Sequence, residues 1–191
     1  RIIRGDCRVA LRDIEAGRFR CCVTSPPYWE QREYLPADHP DKALEIGHET
    51  TPAEYVAALV PVFRDVRRVL ADDGTLWINI GDKYAGDGGR RAGGGAFGSH
   101  NRLVDEGRIP HKLPRWRTPG LPPKSLIGIP WRLALALQDD GWILRSEIIW
   151  HKPDAQPSSV KDRPTTAHEH VFMLAKNVSY FYDADAIREP Q

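Results

Sequence analysis

The chain has 191 residues, enough for one domain with a real hydrophobic core, and 41% of them are apolar. Its 27 Lys and Arg nearly balance its 26 Asp and Glu, so overall charge does not mark it as a nucleic-acid binder. Three cysteines, Cys7, Cys21 and Cys22, form neither a disulfide framework nor a zinc spacing and suit a reducing cytoplasm, and no stretch is long and apolar enough to span a membrane.

Residues 1–4 read as a short strand end and 6–14 as a short helix with Val9, Ala10 and Ile14 on one face. Residues 19–23 are an apolar strand that stops at Thr24-Ser25-Pro26-Pro27-Tyr28, and 29–50 read as a loop. Thr51-Pro52-Ala53-Glu54 is a capping box with proline at the first helical position. Tyr55, Val56, Leu59, Phe63, Val66 and Leu70 then recur at helical spacing, with Pro61 expected to kink the helix and Asp72-Asp73-Gly74 to end it. Residues 75–80 are a strand that exits at Gly81-Asp82. Residues 86–124 are rich in glycine, arginine and proline without periodicity, and read as a long insertion or mobile loop. From 88 to 124 that segment carries Arg90, Arg91, Arg102, Arg108, Lys112, Arg115, Arg117 and Lys124 against only Asp105 and Glu106. It is either a phosphate-contacting surface or a solvated loop. Pro130 opens a second helix with Trp131, Ala134 and Leu137 on one side and Gly141 as its stop. Residues 143–150, 170–175 and 179–182 read as strands, the last two as an edge hairpin.

This order predicts a single α/β domain over residues 1–191, its sheet mostly parallel with an antiparallel edge. Sites in such sheets lie beyond the carboxyl ends of the strands. Asp6, the Ser25–Tyr28 turn, Gly81-Asp82 and the segment from Trp150 to Lys152 all fall there. In the turn, two prolines stiffen the backbone and remove two N–H donors, so carbonyls face outward beside a hydroxyl and an aromatic ring. Such a corner suits a flat, amine-bearing ring.

Ser25-Pro26-Pro27-Tyr28 resembles the catalytic motif of the DNA amino-methyltransferases, (Asp/Asn/Ser)-Pro-Pro-(Tyr/Phe/Trp), in a form similar to the cytosine-N4 branch. Arg4-Gly5-Asp6-Cys7, the run from Asp73 to Asp82, and Trp150-His151-Lys152-Pro153 are similar to further segments of that family, in its order. The resemblance covers roughly residues 1–85 and 121–190 and implies a Rossmann-like sheet, S-adenosylmethionine as cofactor and duplex DNA as partner. Ser25 and the Pro26 carbonyl would accept from the target amine, with Pro27 stiffening the turn, and Tyr28 would stack on a base flipped from the duplex. Asp6, with Cys7, would meet the cofactor; a plain helix N-cap is the other reading of Asp6. Asp82 lines the cofactor or base pocket or is a loop acid. Trp150 and Lys152 flank the flipped base or are a packed tryptophan and a surface lysine. Trp29 is a wall for DNA or core, and Arg90 and Arg91 would help hold DNA.

Two spellings are set aside. Residues 93–98 satisfy G-x-G-x-x-G but lie well past the strand, with no clear helix after them. His168-Glu169-His170 offers alternate residues on a strand, too few for a metal site. The resemblance also implies a glycine-rich Asp-Pro-Phe-x-Gly-x-Gly cofactor loop, which these residues lack. The expectation is therefore an incomplete sheet with an exposed strand edge, finished by a C-terminal half of the same protein or by a second copy. Adenine N6 as the target, a catalytically inactive DNA-binding fragment, and an RNA or protein methyltransferase remain open alternatives.

Overall fold

The computed structural model describes residues 2–86, 120–155, 157–158 and 160–189. Most of the basic insertion, including Arg90, Arg91 and the 93–98 glycines, lies outside them. The elements are α1 (Cys7–Ala10), β1 (Phe19–Thr24), a 3-10 turn (Lys42–Leu44), α2 (Pro52–Val69), β2 (Leu70–Ile80), α3 (Ile129–Asp139), β3 (Ile143–His151) and β4 (His168–Ala175).

The capping box forms as expected: Thr51 Oγ1 accepts from Glu54 N at 3.1 Å and the Glu54 carboxylate accepts from Thr51 N at 3.0 Å. Helix α2 runs on through Pro61. Both Pro61 and Ala57, whose carbonyl loses its intrahelical donor, sit on the exposed face, where water can replace the bond. The helix ends at Val69 rather than at Asp72–Gly74, because fully buried Leu70 turns extended and pairs with Phe19 of β1.

The sheet order is β1-β2-β4-β3, with β1 parallel to β2 and β4 antiparallel to both β2 and β3. Three strands therefore point one way and β4 opposes them. The antiparallel edge exists, but β3 and β4 build it. Residues 179–182 are not a strand: Phe181 N is tied to Asp73 O at 3.0 Å, and the Tyr180 hydroxyl accepts from Arg145 Nε at 2.7 Å. Residues 2–4 likewise form no strand, and α1 is a single turn within the expected 6–14 helix.

Leu76, Ile78 and Ile80 of β2, with Phe172 and Leu174 of β4, meet Tyr55, Leu59 and Phe63 of α2 and Leu133 and Leu137 of α3 in one core. Trp131 is not on the buried side of α3. It is 42% exposed and lies edge-on to Phe172 at 5.1 Å, while Leu133 fills the core position. Among the described residues β1 is one edge of the sheet and β3 the other, and Val23 on β1 is 79% exposed. An apolar groove lined by Leu11, Phe19, Cys22, Val23, Val66 and Val69 runs along it. Burial pushes the Cys22 thiol up to about 11, so it stays protonated at neutral pH.

Candidate active site

The strand directions bring four chain segments to one end of the sheet. Ser25–Tyr28 leaves β1, Gly81-Asp82 leaves β2, Lys152 follows β3, and His168-Glu169 begins β4. The register pairs Ile80 with His170, Trp150 with Glu169, and His151 with His168, which sets these ends side by side.

The proline corner is held from beneath. Pro26 is buried and Ser25 exposed. The Pro27 carbonyl accepts from the Tyr55 hydroxyl at 2.7 Å. Burial pushes that phenol up, so it stays a donor. The Pro27 carbonyl is therefore already taken within the fold.

Tyr28 lies over the exit of β2. Its hydroxyl donates to Asn79 Oδ1 at 2.7 Å, and Asn79 Nδ2 reaches the His170 carbonyl at 3.3 Å. Burial, chiefly, raises the Tyr28 pKa; Ser25 works against that and Glu169 with it. The ring covers Gly81 so closely that a Cβ there would sit 2.7 Å from Tyr28 Cε2. Gly81→Ala is therefore expected to push the ring off its seat and lower any activity that uses it by about tenfold, while a thermal melt moves little. An unchanged rate would mean that the ring's seat does not matter.

Trp29 is core: it is 3% exposed, and its Nε1 donates to Glu49 O at 2.9 Å. Trp150 is 54% exposed at the end of β3, with Lys152 Nζ 5.8 Å from its ring centre and ion-paired to Glu169. Sequence reasoning missed Asn79, Gly81 and Glu169 as partners of Tyr28.

The two acids expected near a cofactor differ. Asp82 is occupied: its carboxylate accepts from Gly128 N and Ile129 N at 3.0 Å each, and from Lys83 N at 2.8 Å, capping the N-terminus of α3. Asp6 caps α1 through Arg8 N at 2.8 Å and also holds the Arg8 guanidinium, which keeps its carboxyl below the usual range. Asp6 and Cys7 are both exposed, whereas the Asp82 carboxylate is taken up by the cap.

A family model described as DNA methylase matches residues 19–191. The Type II methyltransferase M.SmaI of Serratia marcescens is 48% identical over 100% of this chain and 60% of its own length. M.XycI of Xanthomonas campestris pv. cyanopsidis is 49% identical over 99% of this chain and 58% of its own. This chain thus spans less than two thirds of either relative. The structure of PvuII DNA methyltransferase (cytosine-N4-specific) superposes with a TM-score of 0.61 at 17% identity, covering 96% of this chain and 51% of that one. The structure of TTHA0409 from Thermus thermophilus, complexed with S-adenosyl-L-methionine, gives 0.54 at 20% identity, covering 95% and 55%. At these identities the two structures speak for the fold: a Rossmann-like methyltransferase sheet, of which this chain forms part.

Proposed function

The chain belongs to the DNA methylase family, and from that premise we propose that the whole protein methylates the exocyclic N4 of cytosine in duplex DNA, with S-adenosylmethionine as donor, within a restriction-modification system. The carrying observation is the corner itself: an exposed serine, two prolines and an aromatic ring seated at the carboxyl ends of β1 and β2. Serine in the first position of the motif favours cytosine over adenine.

An exocyclic base amine is a poor nucleophile because its lone pair is delocalised into the ring. Ser25 Oγ and the Pro26 carbonyl accept its two N–H bonds, draw the nitrogen toward tetrahedral geometry and free the lone pair. Tyr28 supplies a face for the flipped base, a contact worth about 1–3 kcal/mol. Trp150 offers a second exposed ring. S-adenosylmethionine, when bound, supplies an electrophilic methyl group, and Asp6 and Cys7 are the residues that would meet it. Among the described residues the outer edge of β1 has no strand beside it, and that edge is where further chain of the protein, or a second copy, would complete the sheet.

The test is to incubate the protein, expressed at its full natural length, with S-adenosylmethionine and mixed-sequence duplex DNA, then to digest the DNA and weigh its nucleosides. N4-methylcytosine is the expected product. N6-methyladenine would move the target to adenine, and the absence of both products would overturn the reading. Replacing Arg90 and Arg91 by alanine is expected to weaken DNA binding and flatten its salt dependence by about two units of log–log slope at most. An unaltered slope would make that segment a bystander.

A further inference from the structure

We propose that Glu169 is a positioning residue of this cleft: from the start of β4 it holds the Lys152 ammonium at the end of β3, while the carbonyl of the next residue, His170, receives the Asn79 amide that anchors Tyr28, so that the corner after β1 is fixed against the end of β3. The proposal rests on the methyltransferase reading for its consequence, but not for its geometry.

Glu169 is opposite Trp150 in the β3–β4 register, one residue before the pairing of His170 with Ile80. Its side chain is 18% exposed and that of Lys152 30%, so the ion pair is shielded enough to hold a geometry that a surface pair would not. Lys152 Nζ also lies over the Trp150 ring, so fixing Lys152 fixes the approach to that exposed aromatic. On the other side, Tyr28 is anchored by Asn79, whose own amide reaches the carbonyl of His170, the residue after Glu169. Three strand ends are therefore linked through one carboxylate and its neighbour on β4. A base standing between Tyr28 and Trp150 would have its two walls set by this link. The neighbouring His170 is occupied differently, with Nδ1 against Glu147 and its ring stacked on Phe172 at 6.3 Å.

Electrostatics supply a readout independent of methyl transfer. The groups acting on the Tyr28 phenol are Ser25, Asn79 from β2, Tyr34 from the loop, Glu169 from β4, and Lys152 from β3 through Glu169. A carboxylate opposite a phenol resists formation of a second negative charge.

The experiment uses the full-length protein with tyrosine labelled at the ring carbon bearing oxygen, and follows the titration of Tyr28 by NMR, its signal assigned by Tyr28→Phe. Glu169→Gln is expected to lower the Tyr28 pKa measurably, and Lys152→Met, which leaves the carboxylate unbalanced, to raise it. In the methylation assay each variant should lose about tenfold in kcat, and the double variant should lose no more than the worse single one, because both act through one link. A Tyr28 titration unmoved by both substitutions overturns the proposal, whatever the activity. If Glu169→Gln fails to fold, the direction of the Lys152→Met shift decides alone. A shift in Tyr28 with additive losses in kcat would also overturn it, since the two residues would then act separately. Absence of methylation in the unaltered protein would strike the function proposed above and leave the titration result standing.

Discussion

Tyr28→Ala is expected to lower methyl transfer by about a hundredfold, the upper end of what one base-stacking contact supplies, while the protein remains folded. The ring makes three separable contributions. It offers a face at the mouth of the cleft, it fills the space above Gly81, and its hydroxyl is tied to Asn79. Alanine removes all three, whereas Tyr28→Phe removes only the last and should cost a few-fold at most. Because Tyr28 is half-buried and only flanks the main core, truncation should destabilise by about 1–2 kcal/mol, within reach of a typical domain's margin. Single-turnover rates on duplex DNA, with melting curves for each variant, separate the effects. A Tyr28→Ala enzyme within threefold of the parent would remove Tyr28 from the mechanism. A collapsed melt would instead mark it as a structural residue.

What the chain announces, and what it conceals, divides by the range of the interaction. The proline corner and the capping box are local patterns, and each stands where the sequence places it; the main strands and helices follow in the expected order, with shifted ends. Contacts across the sheet have no such signature. Tyr28 and Asn79 are 51 residues apart, and nothing in either neighbourhood names the other. Glu169 stands out in the sequence only as the middle of a His-Glu-His spelling, because its partner Lys152 is fixed by β3–β4 register and not by spacing. Trp131 departs from expectation for a related reason. Helical periodicity places it close to the buried stripe, but the width of that stripe is set by β4, and only the ring's edge reaches Phe172. Residues 179–182 have strand-like composition, but among the described residues their backbone link to the sheet is one hydrogen bond, from Phe181 N to Asp73 near the start of β2, which does not make a ladder. The family segments are legible as motifs, while the work of their individual acids is not: Asp82 belongs to a family-like stretch and turns out to cap a helix.

That cap makes the second strong prediction. Helix α3 begins at Ile129 after Gly128, which has no side chain with which to cap it, so Asp82, 46 residues upstream, supplies the acceptor. The same carboxylate serves Gly128 N, Ile129 N and the Lys83 amide, with negative charge at the positive end of the helix. Asp82→Ala leaves these part-buried donors without it and is expected to cost about 2–3 kcal/mol, read as a lower denaturation midpoint at an unchanged slope. Asp82→Asn retains Oδ1, which makes the shortest three of the four bonds, and should cost about 1 kcal/mol or less, chiefly the lost charge at the helix terminus. The pair also separates the two readings of this acid. If Asp82 only builds the fold, Asp82→Asn restores both stability and methyl-donor affinity together. If it also meets the cofactor, the asparagine enzyme will be stable yet bind S-adenosylmethionine weakly. Equal stability of the alanine variant and the parent would show that α3 does not depend on this cap, and would return Asp82 to the pocket.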